Sequence, residues 1–211
     1  MTKTSVEGEV ARGDRVVLRS KRAADAEADY AWRKDPELAS YDAAKPISTT
    51  FEDYLALYED DLAHPTPFRR SFAVEVEGRH IGNVMVYNID VLKGEAEIGI
   101  TIGERLYWSR GFGTDTLKAL VGYVFTDTSL TRLYLKTLDW NLRAQRCFQK
   151  AGFVQYNTSR RSNGTFVLME LRRSDWEGRE VDDMGARQML GEDFSPPTAE
   201  SPDRRLPARY R

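Results

Sequence analysis

The spacing of apolar positions changes period several times along the chain, and each change marks an element. Residues 15–20, Arg-Val-Val-Leu-Arg-Ser, predict a short opening strand. Residues 23–34 are Ala-rich, carry Tyr30 and Trp32, and predict a helix. Pro36 and Pro46 punctuate the stretch up to Thr50. Thr50 with Asp53 three residues on resembles a capping box with Asp in the Glu place. Phe51, Tyr54, Leu55, Tyr58 and Leu62 then form one apolar stripe at helical spacing.

The chain then alternates with a period of two. Residues 71–77, 81–89 and 95–102 predict three strands of an antiparallel meander, with turns at Gly78-Arg79 and Lys93-Gly94. In the third strand Ile98, Ile100 and Ile102 share one face, while Glu97, Gly99 and Thr101 share the other. The turn Arg110-Gly111-Phe112-Gly113 leads into a helix whose Leu117, Leu120, Val121, Val124 and Phe125 lie on one face. Residues 133–138 predict a strand. Asn141 opens a short helix that Gly152 closes, with Ala144, Cys147, Phe148 and Ala151 inward. Residues 153–160 and 165–171 flank Asn163-Gly164, a hairpin signal.

After Arg173 the pattern gives out. The stretch to Arg211 is polar, holds Pro196, Pro197, Pro202 and Pro207, and keeps Trp176, Met189, Leu190 and Phe194 as its few apolar anchors. One domain over 1–173 is therefore expected, with an extension over 174–211. The extension is expected to be partly docked to about 194 and disordered from 195. Its anchors could dock on the domain or on a second subunit, which leaves a homodimer open.

Composition narrows the classes. A chain of 211 residues suits one domain with a core, and 41 % hydrophobic with 30 % charged residues is ordinary for a globular protein. The net charge of −2 gives no global basic field, so no nucleic acid is expected as a partner. A single cysteine, Cys147, excludes an intramolecular disulfide and a Cys-based zinc site, and no metal is expected. Residues 1–10 lack an apolar signal core, and no apolar run approaches the roughly 20 residues of a membrane span, so no membrane is expected and the cytosol is the expected compartment.

Candidate chemistry begins at the glycine turn. A strand, a turn with two glycines and a helix can aim several backbone N–H groups at one spot, where a phosphate or pyrophosphate fits. Plain turn geometry is the alternative. A Walker loop is excluded, because no Gly-Lys-Ser/Thr follows, and a dinucleotide fingerprint lacks its third glycine.

Two blocks carry a resemblance. Asn141-Leu142-Arg143-Ala144 through Gln149-Lys150-Ala151-Gly152-Phe153 resembles the Asn-x-x-Ser/Ala … Glu-Lys-x-Gly-Phe block of GNAT acetyltransferases. Glu97-Ile98-Gly99-Ile100, with Tyr107-Trp108-Ser109-Arg110-Gly111-Phe112-Gly113-Thr114, resembles their acetyl-CoA motif, Gln/Arg-x-x-Gly-x-Gly/Ala. Trp108 holds the Gln/Arg place. That form looks like the branch containing ribosomal-protein N-terminal and spermidine acetyltransferases. The resemblance runs from Arg15 to about Arg173.

The resemblance implies an α/β (α+β) fold: a mixed, mostly antiparallel sheet of six or seven strands with helices on both faces. The strand ending at Ile102 and the strand over 133–138 would splay apart. The pantetheine arm of acetyl-CoA would then bond the backbone of Ile100, Thr101 and Ile102. Its pyrophosphate would sit on amides of Ser109, Arg110, Gly111, Phe112, Gly113 and Thr114, beside Trp108. Asn141 and Phe148 would border the arm, although Asn141 also reads as a plain helix cap. The implied activity is acetyl-CoA-dependent transfer to a primary amine: a protein N-terminus, a polyamine or another small amine.

Acid–base arithmetic frames the catalyst. A lysine-like amine with pKa ~10.4 is protonated at neutral pH, and exposing its lone pair costs roughly 4–5 kcal/mol. Glu97, opposite the isoleucines, is the candidate general base, with a structural glutamate as the alternative. An α-amine with pKa near ~8 needs far less help, so a weak base would point to N-terminal substrates. The leaving thiolate, with pKa taken as ~8.5, asks only about 2 kcal/mol of an acid. Many family members place a Tyr acid where this chain has Phe148, so Tyr107, Tyr156 or a water supplies the proton, or no acid is used. Cys147 reads as a small buried hydrophobe, and His64 and His80 lie outside both blocks, which disfavours a Cys–His acyl-enzyme. Phe148 also leaves open a non-catalytic acyl-CoA-binding sensor or scaffold.

Overall fold

The computed structural model describes residues 6–178. Within them eight strands form one sheet: β1 (Glu9–Arg12), β2 (Val17–Ser20), β3 (Arg69–Val76), β4 (Arg79–Asp90), β5 (Glu95–Ile102), β6 (Arg132–Leu138), β7 (Val154–Arg161) and β8 (Gly164–Arg172). Their order across the sheet is β1-β2-β3-β4-β5-β6-β8-β7. Neighbours pair antiparallel except β5 and β6, which run parallel. The mixed, mostly antiparallel sheet is the expected one, with an edge strand added at the start. That strand, Glu-Val-Ala-Arg, is too short and polar to announce itself by alternation.

The helices are α1 (Ala26–Lys34), α2 (Pro36–Tyr41), α3 (Phe51–Ala63), α4 (Phe112–Asp127) and α5 (Leu142–Lys150). They cover both faces. On one face the apolar stripe of α4, with Leu117, Leu120, Val121, Val124 and Phe125, packs with Val84, Val86, Ile98 and Leu133 in the main core. Residues of this kind contribute roughly 1.5–3 kcal/mol each when fully buried, so this layer is the main source of stability. On the other face α1 is held by polar groups. Asp29 accepts from Asn83 Nδ2 on β4 at 2.5 Å, and Lys21 Nζ pairs with both. Arg19 on β2 pairs with Glu75 on β3 and with Asp25 just before α1, all three buried.

The amphipathic stripe predicted for α3 is present but shallow. Tyr30 of α1 meets Phe51 and Tyr54, each at 5.3 Å between ring centroids, yet no α3 residue is fully buried. The unpredicted helix is α2, in the stretch that reads as Pro punctuation. Pro36 is its first residue, and the Asp35 carboxylate caps it by accepting from the Glu37 and Leu38 amides.

Met1–Trp176 forms one compact unit. Trp176, beyond the expected boundary at 173, stacks 5.7 Å from Phe125 of α4. The other expected anchors of the extension, Met189, Leu190 and Phe194, and the disorder expected from 195 lie outside the described residues. Among the described residues no helix is long and apolar enough to cross a membrane.

Candidate functional site

The parallel pair β5–β6 is joined over only three residue pairs, from Glu95↔Arg132 to Glu97↔Tyr134. Beyond Glu97 the two strands diverge, as the sequence resemblance implied. A cavity of about 620 Å³ opens in the gap, lined by residues of α2, β4, β5, the turn before α4, β6 and α5. Gly103 donates its amide to Ile81 on β4, so strand alternation turns the backbone of Ile100 and Ile102 to the opposite, open edge. There the Ile102 carbonyl accepts from the Trp108 indole at 2.6 Å. The N–H and C=O of Ile100 are left on that edge. The same alternation turns the Thr101 backbone toward β4.

The glycine turn meets this gap at the start of α4. Ser109 and Gly111 both adopt left-handed backbone, with φ of 56° and 87°. Gly111 is also crowded: a Cβ there would lie 2.7 Å from Arg15 Nη2. The first intrahelical bond of α4 is Asp115 N–H to the Gly111 carbonyl. The amides of Phe112, Gly113 and Thr114 therefore have no acceptor within the helix. Gly113 and Thr114 line the cavity. Asp115 anchors the assembly from behind, accepting from the amides of Asp14, Arg15 and Val16 at 2.9, 2.7 and 3.0 Å.

Across the gap, α5 supplies the other wall. The Asn141 side chain caps the helix, accepting from the Ala144 amide at 3.2 Å, and among the described residues no acceptor takes its Nδ2 hydrogens. Asn141 is 7 % exposed, and it caps α5 while lining the cavity. Arg143, Arg146 and Lys150 of α5 add positive charge to the rim. Arg143 stacks 3.7 Å above the Trp108 ring and 4.8 Å from that of Tyr41. Phe148 is a buried apolar part of this wall.

Glu97 is 5 % exposed and sits just behind the cavity surface. Its Oε1 accepts from Lys136 Nζ at 2.8 Å and its Oε2 from Asn88 Nδ2 at 3.0 Å. Burial alone would raise this carboxyl, but the hydrogen bonds from Lys136 and Tyr87, the Lys136 charge and the Asn88 bond outweigh it and hold it below its ordinary value. Both Lys136 and Tyr87 line the cavity, and Glu97 does not. Burial, with the Glu97 carboxylate beside it, pushes the Tyr87 hydroxyl up.

The cavity brings together Ile100, Thr101, Ile102, Trp108, Ser109, Gly111, Gly113, Thr114, Asn141 and Phe148. Two expected neighbours turn away. The Phe112 ring is buried between Tyr107, at 5.1 Å, and the Arg15 guanidinium, at 4.3 Å. Arg110 bonds the Leu106 carbonyl. Only their main chains can serve the turn. Of the two tyrosines considered as acids, Tyr107 lines the cavity; Tyr156 lies elsewhere, with the Arg132 guanidinium 5.3 Å from its ring. Cys147 is in the cavity wall, where burial raises its thiol. Neither His64 nor His80 lines it, so no Cys–His pair exists there. Sequence reasoning missed Tyr41, Asp42, Tyr87, Lys136 and Arg143. Lys136 alone had a signal, as a polar residue alternating with Leu135 and Leu133 on β6.

Comparison with known proteins agrees with this geometry. The family model for an acetyltransferase (GNAT) domain matches residues 15–154. An uncharacterized N-acetyltransferase, p20, of Bacillus licheniformis is 28 % identical over 149 residues, covering 67 % of this chain and 83 % of that protein. A crystal structure of an aminoglycoside acetyltransferase in complex with coenzyme A superposes with a TM-score of 0.66 at 25 % identity, covering 78 % of this chain and 99 % of the other. A spermidine N-acetyltransferase from Vibrio cholerae, in complex with CoA and spermine, shares the fold with a TM-score of 0.69 at 22 % identity, covering 77 % of this chain and 98 % of the other.

Proposed function

The chain belongs to the GNAT acetyltransferase family, and on that premise we propose that it moves the acetyl group of acetyl-CoA directly to a primary amine, in the cytosol. One observation carries the reading: a single cavity joins the free amides of α4, the open edge of β5 and the Asn141 cap of α5. Relatives that bind coenzyme A and acetylate amines support it.

Bound acetyl-CoA supplies an activated acyl carbon and a thiolate leaving group. The chain's own residues bind, orient and move protons. The amides of Gly113 and Thr114, at the positive end of α4, suit a pyrophosphate, and Arg143, Arg146 and Lys150 add charge for further phosphate. Ile100 offers one N–H and one C=O to an extended arm, and Asn141 Nδ2 offers a further donor. Trp108 and Phe148 wall this channel with apolar surface and keep water from it.

Proton removal from the acceptor runs through Tyr87 to Glu97. Tyr87 faces the cavity and hydrogen-bonds the Glu97 carboxylate, so it can accept a proton from the amine as it passes its own inward. Glu97, pinned low by its partners, is a weak base in this role. Tyr107, in the same cavity, is the proton donor to the departing thiolate in this reading.

Mass spectrometry of an amine incubated with acetyl-CoA and the protein tests the proposal. The expected product is the acetylated amine. Thioester hydrolysis with no acetylated amine from any member of a broad amine panel would refute it.

A further inference from the structure

We propose that the acceptor is an α-amine with a carbonyl on the adjacent carbon, as in a peptide N-terminus or a free amino acid, bound by Asp42 at its ammonium and by Lys136 at its carbonyl. The inference rests on the N-acetyltransferase reading of the same cavity and names the acceptor class.

The wall contributed by α2, its C-cap, β4 and β6 holds Leu38, Tyr41, Asp42, Met85, Tyr87 and Lys136, with Asp42 near enough to Tyr87 for its charge to act on that hydroxyl. Asp42 is the single acidic side chain among the described lining residues. It closes α2 as its C-cap. Among the described residues its carboxylate makes no hydrogen bond and no ion pair, so it is available to a cation. It is solvent-exposed, yet the surrounding protein raises its carboxyl and the Arg33 charge offsets part of that rise. A docking ammonium would relieve that penalty.

Lys136 is the complementary group. It gives one N–H to Glu97 Oε1 at 2.8 Å, and no other acceptor among the described residues takes its remaining hydrogens. An ammonium has three donors, so Lys136 can hold Glu97 and still donate to a ligand oxygen. One free carboxylate and one lysine with spare donors in the same cavity suit a group that carries both an ammonium and a carbonyl. A polyamine or an aminoglycoside brings several ammoniums. It would find one carboxylate for them and be repelled by Lys136. Leu38, Tyr41 and Met85 leave an apolar wall for the substituent on the α-carbon.

Base strength points the same way. The α-amine of a peptide N-terminus has pKa near ~8, so roughly a tenth is free base at pH 7, whereas an alkylamine near ~10.4 is about 0.04 % free. Glu97, held low by Lys136 and Tyr87, suits the first task and not the second.

The test is a comparison of kcat/KM at pH 7.5 (roughly the working range assumed for an α-amine) for leucinamide, leucine, isopentylamine and spermidine. Isopentylamine keeps the leucine side chain and lacks the carbonyl. With each rate expressed per free amine at that pH, the better of the two α-amines should still exceed isopentylamine and spermidine by about 10-fold or more, the worth of a hydrogen bond to a charged group. Leucinamide leading indicates a peptide N-terminus, and leucine leading indicates a free amino acid. Asp42→Asn should raise KM for the leading α-amine about 10-fold and leave that for acetyl-CoA unchanged. Lys136→Met should erase the advantage over isopentylamine. A smaller advantage in the wild-type protein, or a preference for spermidine, overturns the inference while N-acetylation stands. Acetylation of no amine at all overturns both.

Discussion

At Gly111 two constraints meet, a left-handed φ of 87° and the Arg15 guanidinium beside the missing side chain. Gly111→Val is expected to push the α4 amides out of register with a phosphate and to weaken coenzyme A binding sharply. Calorimetry on a variant that still melts cooperatively checks this, and unchanged affinity would remove the turn from the binding site. Glu97→Gln should lower turnover about 10²-fold, the low end of base catalysis, with little change in acetyl-CoA affinity. The loss should shrink as pH rises and more amine is free on its own. Wild-type turnover at pH near ~7, where the amine still needs a base, would exclude Glu97. The motif residues Gly111, Gly113 and Asn141 were legible because their spacing announces a turn and a cap. Asp42 was not, and Lys136 showed only as a polar position alternating along β6, with nothing to mark it as part of a site. Their significance comes from elements that converge only in the fold, and neither lies in a recognisable block.

The elements most legible from sequence were those with a long, unbroken period. The apolar stripe of α4 and the alternation of β5 appear as expected, because each buries a whole face against the other. α2 was hidden, since six residues starting at Pro36 give no measurable period. Polar ties between elements were equally silent. Arg19, Asp25 and Glu75 are distant or unremarkable in sequence, yet they clamp β2, β3 and the approach to α1. Burial alone would raise the Asp25 carboxyl, but Arg19, the Arg22 amide and His80 more than reverse this and lower it. A folded value below the unfolded one means the unfolded chain takes up the proton first as pH falls. The contribution is thus full above the unfolded pKa of ~3.9 and is lost as pH drops through the lower folded value. Asp25→Asn should cost about 3 kcal/mol at neutral pH, the toll of breaking a buried pair. The gap from wild type should narrow in acid, as thermal melts along a pH series would reveal. A gap that stays constant down to about pH 2 would contradict the clamp's charge dependence.

For the whole molecule, the sequence set the domain edge near 173, while packing carries it to Trp176. Arg173 donates to the carbonyls of Thr128 and Leu130 after α4, and Trp176 covers Phe125. We propose that the extension past 195 contributes nothing to stability. A chain ending at Ser195 should melt like the full-length protein. One ending at Arg173 should melt lower, having lost a partly buried ring that packs on Phe125, worth less than the roughly 1.5–3 kcal/mol of a fully buried one. Equal melting of the two would show that Trp176 is dispensable. The proposed activity rests on one event, transfer from thioester to amine with both bound in the same cavity and no acyl-enzyme between. Initial rates of thiol release, with acetyl-CoA and amine varied together, test it most directly. Direct transfer predicts intersecting double-reciprocal lines and no burst of thiol before amine is added. Parallel lines with a thiol burst in the absence of amine, or release that ignores the amine altogether, would contradict it.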